Sequence, residues 1–177
     1  RWTATYKNYT VTWNGNGGTP SKSSSSFHYN DALGTLPTAT RTGYTFKGWS
    51  TSANGSVNVS TTTKVTGNVT YYAIWQINSY TLTVTAGTGG TVSGGGSYNY
   101  GATATLKATP SAGYHFVKWS DGNTNASRTV TVTGNATYTA TFEQDPYLNL
   151  DKTSLTFEAA GGTQTVKVTS NVNWTVS

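Results

Sequence analysis

The residues of this chain that could do chemistry are few. Two histidines, His28 and His115, and six carboxylates make up the acid, base and anionic groups, and there is no cysteine. Without cysteine there is no thiolate nucleophile, no disulfide and no Cys-ligated metal. Nucleophilic hydrolysis needs a serine or equivalent held beside a base that an acid orients, and no local motif here joins those three residue types. His28 flanks a serine-rich stretch and His115 stands at a threonine position of a repeated block, so each reads as a strand residue facing solvent. Asp121-Gly-Asn-Thr-Asn125 places oxygens at positions 1, 3 and 5 of a calcium loop. The glycine at position 6 is replaced by Ala126 and the bidentate acid at position 12 by Val132, so a hairpin turn is the expectation. Trp49, Trp75, Trp119 and Trp174 are the candidates for sugar stacking, but most of them recur at fixed repeat positions in alternating segments, where core packing is expected. The chain therefore reads as non-catalytic, with no catalytic, cofactor-binding or metal-binding residue assigned.

The elements that must position these residues announce themselves by repetition. Tyr9-Thr-Val-Thr-Trp13 recurs as Tyr80-Thr-Leu-Thr-Val84, and Gly15-Asn-Gly-Gly-Thr19 as Gly87-Thr-Gly-Gly-Thr91. Gly43-Tyr-Thr-Phe-Lys-Gly-Trp-Ser50 recurs as Gly113-Tyr-His-Phe-Val-Lys-Trp-Ser120, and Val65 to Trp75 as Val132 to Phe142. The offsets are 71, 72, 70 and 67. Ordered blocks at nearly constant spacing require two copies of one unit, with loops of unequal length between the blocks. Val11 and Trp13, Tyr44 and Phe46, and Tyr71, Ala73 and Trp75 alternate with polar residues, the period of a half-buried strand. Asn68 and Asn135, each after a glycine, mark a turn before the last strand. Tyr29 to Pro37 carries N-cap, apolar and stop residues in the order of one helical turn, which is expected in the first unit only. Ser21 to Ser26 reads as a flexible loop. Thr3 to Tyr6 resembles Tyr72 to Trp75, so residues 1–8 read as the closing strand of a preceding unit.

Composition excludes further classes. Charged residues are 10% of the chain, against about 25% in ordinary globular proteins. The net charge is +5, but the lysines and arginines are scattered and never adjacent. Nucleic-acid binding needs a basic stripe that neutralises several phosphates at once, and none is present. The longest apolar run, Tyr71 to Trp75, falls far short of the ~20 residues of a membrane helix, and no basic-then-apolar leader opens the chain. No membrane insertion is expected. From Asp145-Pro146 the pattern changes to short alternating segments around Leu148, Leu155, Phe157, Val166, Val168 and Trp174, with Gly161-Gly162 as a turn.

Tyr9 to Trp75, with Gly15-Asn-Gly-Gly18, Leu36-Pro37, Gly43 to Trp49 and Tyr72-Ala-Ile-Trp75, resembles the internalin B-repeat, also called the Listeria-Bacteroides repeat. Residues 80 to 142 resemble its divergent form, with Lys118 where Gly48 stands and Phe142 in place of the final tryptophan. Asp145 to Ser177 resembles the opening of a BACON module through Leu155-Thr-Phe157, Gly161-Gly-Thr163 and Ser170-Asn-Val-Asn-Trp174. The expected architecture is mainly β: the closing strand at 1–8, β-grasp-like repeats at 9–77 and 78–144, and a truncated immunoglobulin-like sandwich at 145–177. The resemblance implies a non-catalytic region of an exported bacterial cell-surface protein, acting in adhesion through host or surface proteins or glycans. The alternatives are a purely structural spacer or a carbohydrate-binding accessory region of a larger glycan-processing protein. Residues 145–177, with an apolar face to cover, are expected to self-associate or to fold back on the neighbouring repeat.

Overall fold

The computed structural model describes residues 6–156, 159 and 161–175. They form fifteen strands and no helix. In the first repeat these are β1 (Asn8–Asn14), β2 (Thr19–Pro20), β3 (Ser24–His28), β4 (Ala39–Thr40), β5 (Tyr44–Ser50) and β6 (Val69–Ile77). Four of them build a sheet in the order β3-β1-β6-β5, while β2 pairs with β4. The sheet is mixed: β1 runs parallel to β6, with Trp13 opposite Tyr71, and antiparallel to β3. Alternation along β1 buries Val11 and Trp13 and exposes Thr10, Thr12 and Asn14. These side chains join Leu33, Ala39, Trp49, Val59, Val65, Tyr71 and Ala73 in one core. Full burial of a large apolar side chain contributes roughly 1.5–3 kcal/mol, so the many small polar residues between them can stay in water.

The second repeat repeats this order. Its strands are β7 (Ser79–Ala86), β8 (Gly90–Ser93), β9 (Gly96–Asn99), β10 (Thr103–Pro110), β11 (Tyr114–Trp119), β12 (Ser127–Thr131) and β13 (Ala136–Gln144). The main sheet runs β11-β13-β7-β9, the counterpart of β5-β6-β1-β3, and β12-β10-β8 form a second sheet. In both repeats the Gly-Asn turn before the last strand has a capping role: Asn68 Oδ1 accepts the Thr10 N–H at 2.9 Å and Asn135 Oδ1 the Thr81 N–H at 2.8 Å.

A β-bulge explains how the aromatic blocks pack. Phe46 and Trp49 are three residues apart, so strict alternation would put them on opposite faces. Phe46 pairs with Trp75 and Gly48 with Ile74, leaving Lys47 as the extra residue. The bulge returns Trp49 to the face of Phe46, and their rings meet at 5.5 Å. The second repeat does the same between Phe116 and Lys118, with Val117 extra and Phe116 and Trp119 at 5.6 Å. Trp49 and Trp119 are both 0% exposed.

Three expectations are corrected here. The helical turn between Tyr29 and Pro37 does not form. Its backbone groups are taken by a distant segment: Asn30, Leu33 and Gly34 donate to the carbonyls of Val65, Thr63 and Thr61, and Val65 donates back to Asp31. Asn30 adopts a left-handed φ of 65°, which no helix interior accepts. The loop expected over Ser21 to Ser26 is in part strand β3, because Ser24, Ser25 and Ser26 pair with Thr12, Val11 and Thr10 and Ser25 Oγ accepts the Trp13 indole N–H. The immunoglobulin-like sandwich is not formed by the described part of residues 145–177. Only β14 (Leu148–Leu150) and β15 (Val168–Ser170) pair there, and Leu148, Leu150, Leu155, Val172 and Trp174 remain 36–47% exposed, so no core gathers around them. Residues 1–5, Phe157 and Val176 lie outside the described residues. Tyr6 and Lys7 precede β1 without strand geometry.

Residue contacts divide the chain into two units. One runs to Leu82 and includes Gly95–Ala104 and Val130–Ala136; the other holds Thr83–Gly94, Thr105–Thr129 and the chain from Thr137. The loop and strand ends around Tyr100 thus gather with the first repeat.

Candidate functional site

The histidines lie at the surface, as strand residues do. His28 Nδ1 is 3.4 Å from Asp31 Oδ2 and His115 Nδ1 is 2.8 Å from Asp145 Oδ1, with all four side chains about half exposed. Asp121 closes a turn. Its two oxygens take both contacts from Arg128 Nη1, at 2.7 and 2.6 Å, and Oδ1 also accepts the Asn123 N–H. Asn123 Oδ1 in turn accepts the Asn125 N–H at 2.9 Å. Hydrogen bonding to Arg128 holds the Asp121 carboxyl below its ordinary value. The oxygens at positions 1 and 3 of the calcium-like sequence are thus engaged by the turn backbone and Arg128. Trp49 and Trp119, fully buried, donate their indole N–H to the Pro37 and Asn125 carbonyls at 2.7 and 2.9 Å. Trp75 is packed against Phe46 at 5.5 Å and donates to the Gly15 carbonyl. Of the four tryptophans, Trp174 alone is substantially exposed, at 47%.

The feature that sequence reading missed is a groove of about 790 Å³ in the first repeat, lined by Gly17 to Thr19, Ala39 to Thr42 and Tyr44. Its floor is built by a glycine turn. Gly18 donates its N–H to the Gly15 carbonyl, and the Asn16 side chain ties the turn to the Ala53 and Ala73 carbonyls at 2.8 and 3.0 Å. Gly17 has a φ of 88°, and a Cβ there would stand 3.2 Å from the Arg41 guanidinium carbon, so only glycine suits both the backbone and the close approach. Arg41 stacks over the Tyr44 ring, its guanidinium carbon 3.8 Å from the ring centroid, and Nη1 donates to the Asn16 carbonyl at 3.4 Å. The planar cation is held flat between glycine and ring, an arrangement worth roughly 0.5–2 kcal/mol. Arg41 forms no ion pair among the described residues, whereas Arg128 is paired with Asp121. A partly buried guanidinium fixed in this way offers two parallel N–H donors to a carboxylate, and Thr19, Thr40 and Thr42 line the same groove.

The second repeat lacks this arrangement. Ser111 occupies the position of Arg41: Tyr114 donates to the Ser111 carbonyl at 3.1 Å as Tyr44 does to that of Arg41. With no guanidinium between them, the Tyr114 ring lies directly on Gly89, where a Cβ would be 2.1 Å from Cδ1. The signal was present in the sequence as Arg41-Thr-Gly-Tyr44 against Ser111-Ala-Gly-Tyr114, one cation exchanged inside an otherwise matching block.

Residues 9–74 match the Listeria-Bacteroides repeat domain, and residues 80–146 match the divergent InlB B-repeat domain. Both are non-catalytic repeats typical of bacterial cell-surface proteins. No BACON module is found in the residues that follow. No curated protein and no solved structure matches the chain.

Proposed function

For a chain that carries a Listeria-Bacteroides repeat domain followed by a divergent InlB B-repeat domain, we propose a non-catalytic contact region of an exported bacterial cell-surface protein, in which the first repeat binds a carboxylate-bearing saccharide. The observation that supports this reading is Arg41, a cation held rigid by Gly17 and Tyr44 at the edge of an open, hydroxyl-lined groove and without an internal counter-charge among the described residues. Hydroxylated walls suit a sugar better than an apolar side chain, and the guanidinium edge selects an acidic sugar. The mixed sheet with its parallel β1-β6 pair supports a β-grasp-like reading of the first repeat, with residues 29–37 and 61–65 pairing where that fold carries its helix.

A glycan array probed with the whole chain tests the reading. Retention is expected on uronate- or sialate-bearing saccharides and not on their neutral analogues. Losing a charge-assisted bidentate contact costs about 1.5–3 kcal/mol, so Arg41→Ser should weaken binding roughly ten- to hundredfold. Absence of retention, or retention unchanged by Arg41→Ser, overturns it. The spacer reading has one observation in its favour, the ordered junction between the repeats described next.

A further inference from the structure

The linker between the two repeats is built into the fold. Asn78 donates its N–H to the Gly43 carbonyl at 2.9 Å, and its Oδ1 accepts the Thr45 hydroxyl at 2.6 Å. Tyr100 donates its N–H to the Asn78 carbonyl at 2.8 Å. The Tyr100 ring lies on Gly43, where a Cβ would fall 2.0 Å from Cδ1 and where φ is 77°. Gly43, Thr45, Asn78 and Tyr100 all belong to one contact unit.

The same linker geometry recurs after the second repeat. Asp145 donates its N–H to the Gly113 carbonyl at 2.8 Å, and Asp145 Oδ1 meets His115 Nδ1 at 2.8 Å. Gly113 has a φ of 76°, matching Gly43, but no atom lies within 4 Å of where its Cβ would be. Among the described residues the glycine shelf is bare. In the first repeat stands a ring that lies on no glycine among the described residues. Tyr29 is the counterpart of Tyr100. Each is followed by a left-handed residue, Asn30 at 65° and Gly101 at 79°. The N–H of that residue bonds a valine carbonyl, Val65 or Val132, at 2.7 Å. Each ring neighbours the tyrosine of the repeat's first strand, Tyr9 at 6.3 Å and Tyr80 at 6.4 Å. Tyr29 is 64% exposed, while Tyr100 is half-buried.

We propose that Tyr29 and Gly113 are the two halves of a head-to-tail docking surface, and that the partner of each is a second copy of this chain. The contact that joins them is the one the chain already makes between Tyr100 and Gly43. Because ring and shelf sit on different repeats, each contact joins unlike surfaces of two copies, a heterologous association. It does not involve the Arg41 groove, so the two proposals stand or fall separately.

Modules joined by a short linker see each other at an effective concentration in the millimolar range, so a contact useful in an array must be populated between about 50 µM and about 2 mM. NMR spectra of the whole chain across that range are expected to show concentration-dependent shifts at the Gly113 amide and the Tyr29 ring. Tyr29→Ala, at an exposed position, and Gly113→Asn, which tolerates a left-handed φ but covers the shelf, should each abolish them. Mixing the two variants should restore the shifts, because the Gly113→Asn copy still carries Tyr29 and the Tyr29→Ala copy still carries Gly113. That restoration also rules out misfolding of either variant. Spectra that do not change with concentration overturn the proposal, as does a mixture that fails to restore the shifts. Association that persists in either variant, through the exposed Leu148, Leu150 and Leu155 for example, overturns it too.

Discussion

Trp49 and Trp119 combine the largest apolar side chain with an indole N–H satisfied by a backbone carbonyl, Pro37 in one repeat and Asn125 in the other. Truncating either to Ala opens a cavity and leaves that carbonyl without its donor, which should cost on the order of 3–5 kcal/mol. Denaturant unfolding of the two variants measures it, and a loss below about 1 kcal/mol, the scale of a surface change, would contradict the repeat-core role. The Asp121-Arg128 pair predicts a pH effect. Arg128 lowers the folded carboxyl below its ordinary value of 3.8, so the stability it contributes is present above that value and is lost as pH falls through the folded one. NMR titration of the Asp121 carboxyl should show this low value returning toward 3.8 in Arg128→Gln. Both side chains are partly exposed, so added salt should shrink the effect.

At the scale of elements, strand periodicity and repetition made most of the architecture legible. Val11 and Trp13 alternate in β1 and are buried as that pattern requires, and the blocks that recur in sequence become strands with one shared order in both sheets. Local cues failed where long-range pairing competes with them. Asn30, Asp31, Gly34 and Pro37 carry helix signals, yet the backbone between them bonds to residues 61–65, and those bonds displace the turn. The Ser24 to Ser26 segment carries no strand propensity, and it is a strand because β1 supplies its partners. The bulge was illegible for a related reason, since Phe46 and Trp49 show only that alternation breaks and not which residue is looped out. Removing Lys47 should leave Phe46 and Trp49 two residues apart and on one face without a bulge. The expected result in a deletion variant is a folded first repeat with the Trp49 indole still at its buried shift. Loss of the first repeat's dispersed NMR signals while those of Trp119 and Phe116 persist would contradict this account of the bulge.

For the whole molecule, tandem organisation could be read from the spacing of the recurring blocks, but the groove could not. Gly17, Arg41 and Tyr44 come from a turn, a loop and a strand start, and only folding stacks them. In sequence Arg41 is one of several scattered cations. The same holds for the junction, where Gly43 and Tyr100 are joined through Asn78 across two repeats. The contact role of the first repeat is tested most directly by calorimetry of the whole chain with a glucuronate-bearing oligosaccharide, comparing the native protein with Arg41→Ser, the residue found at the matching place in the second repeat. Saturable binding that weakens as salt rises, and that falls at least about tenfold in Arg41→Ser, is the predicted result. Equal heats for the two proteins, or no binding by the native chain, would contradict it.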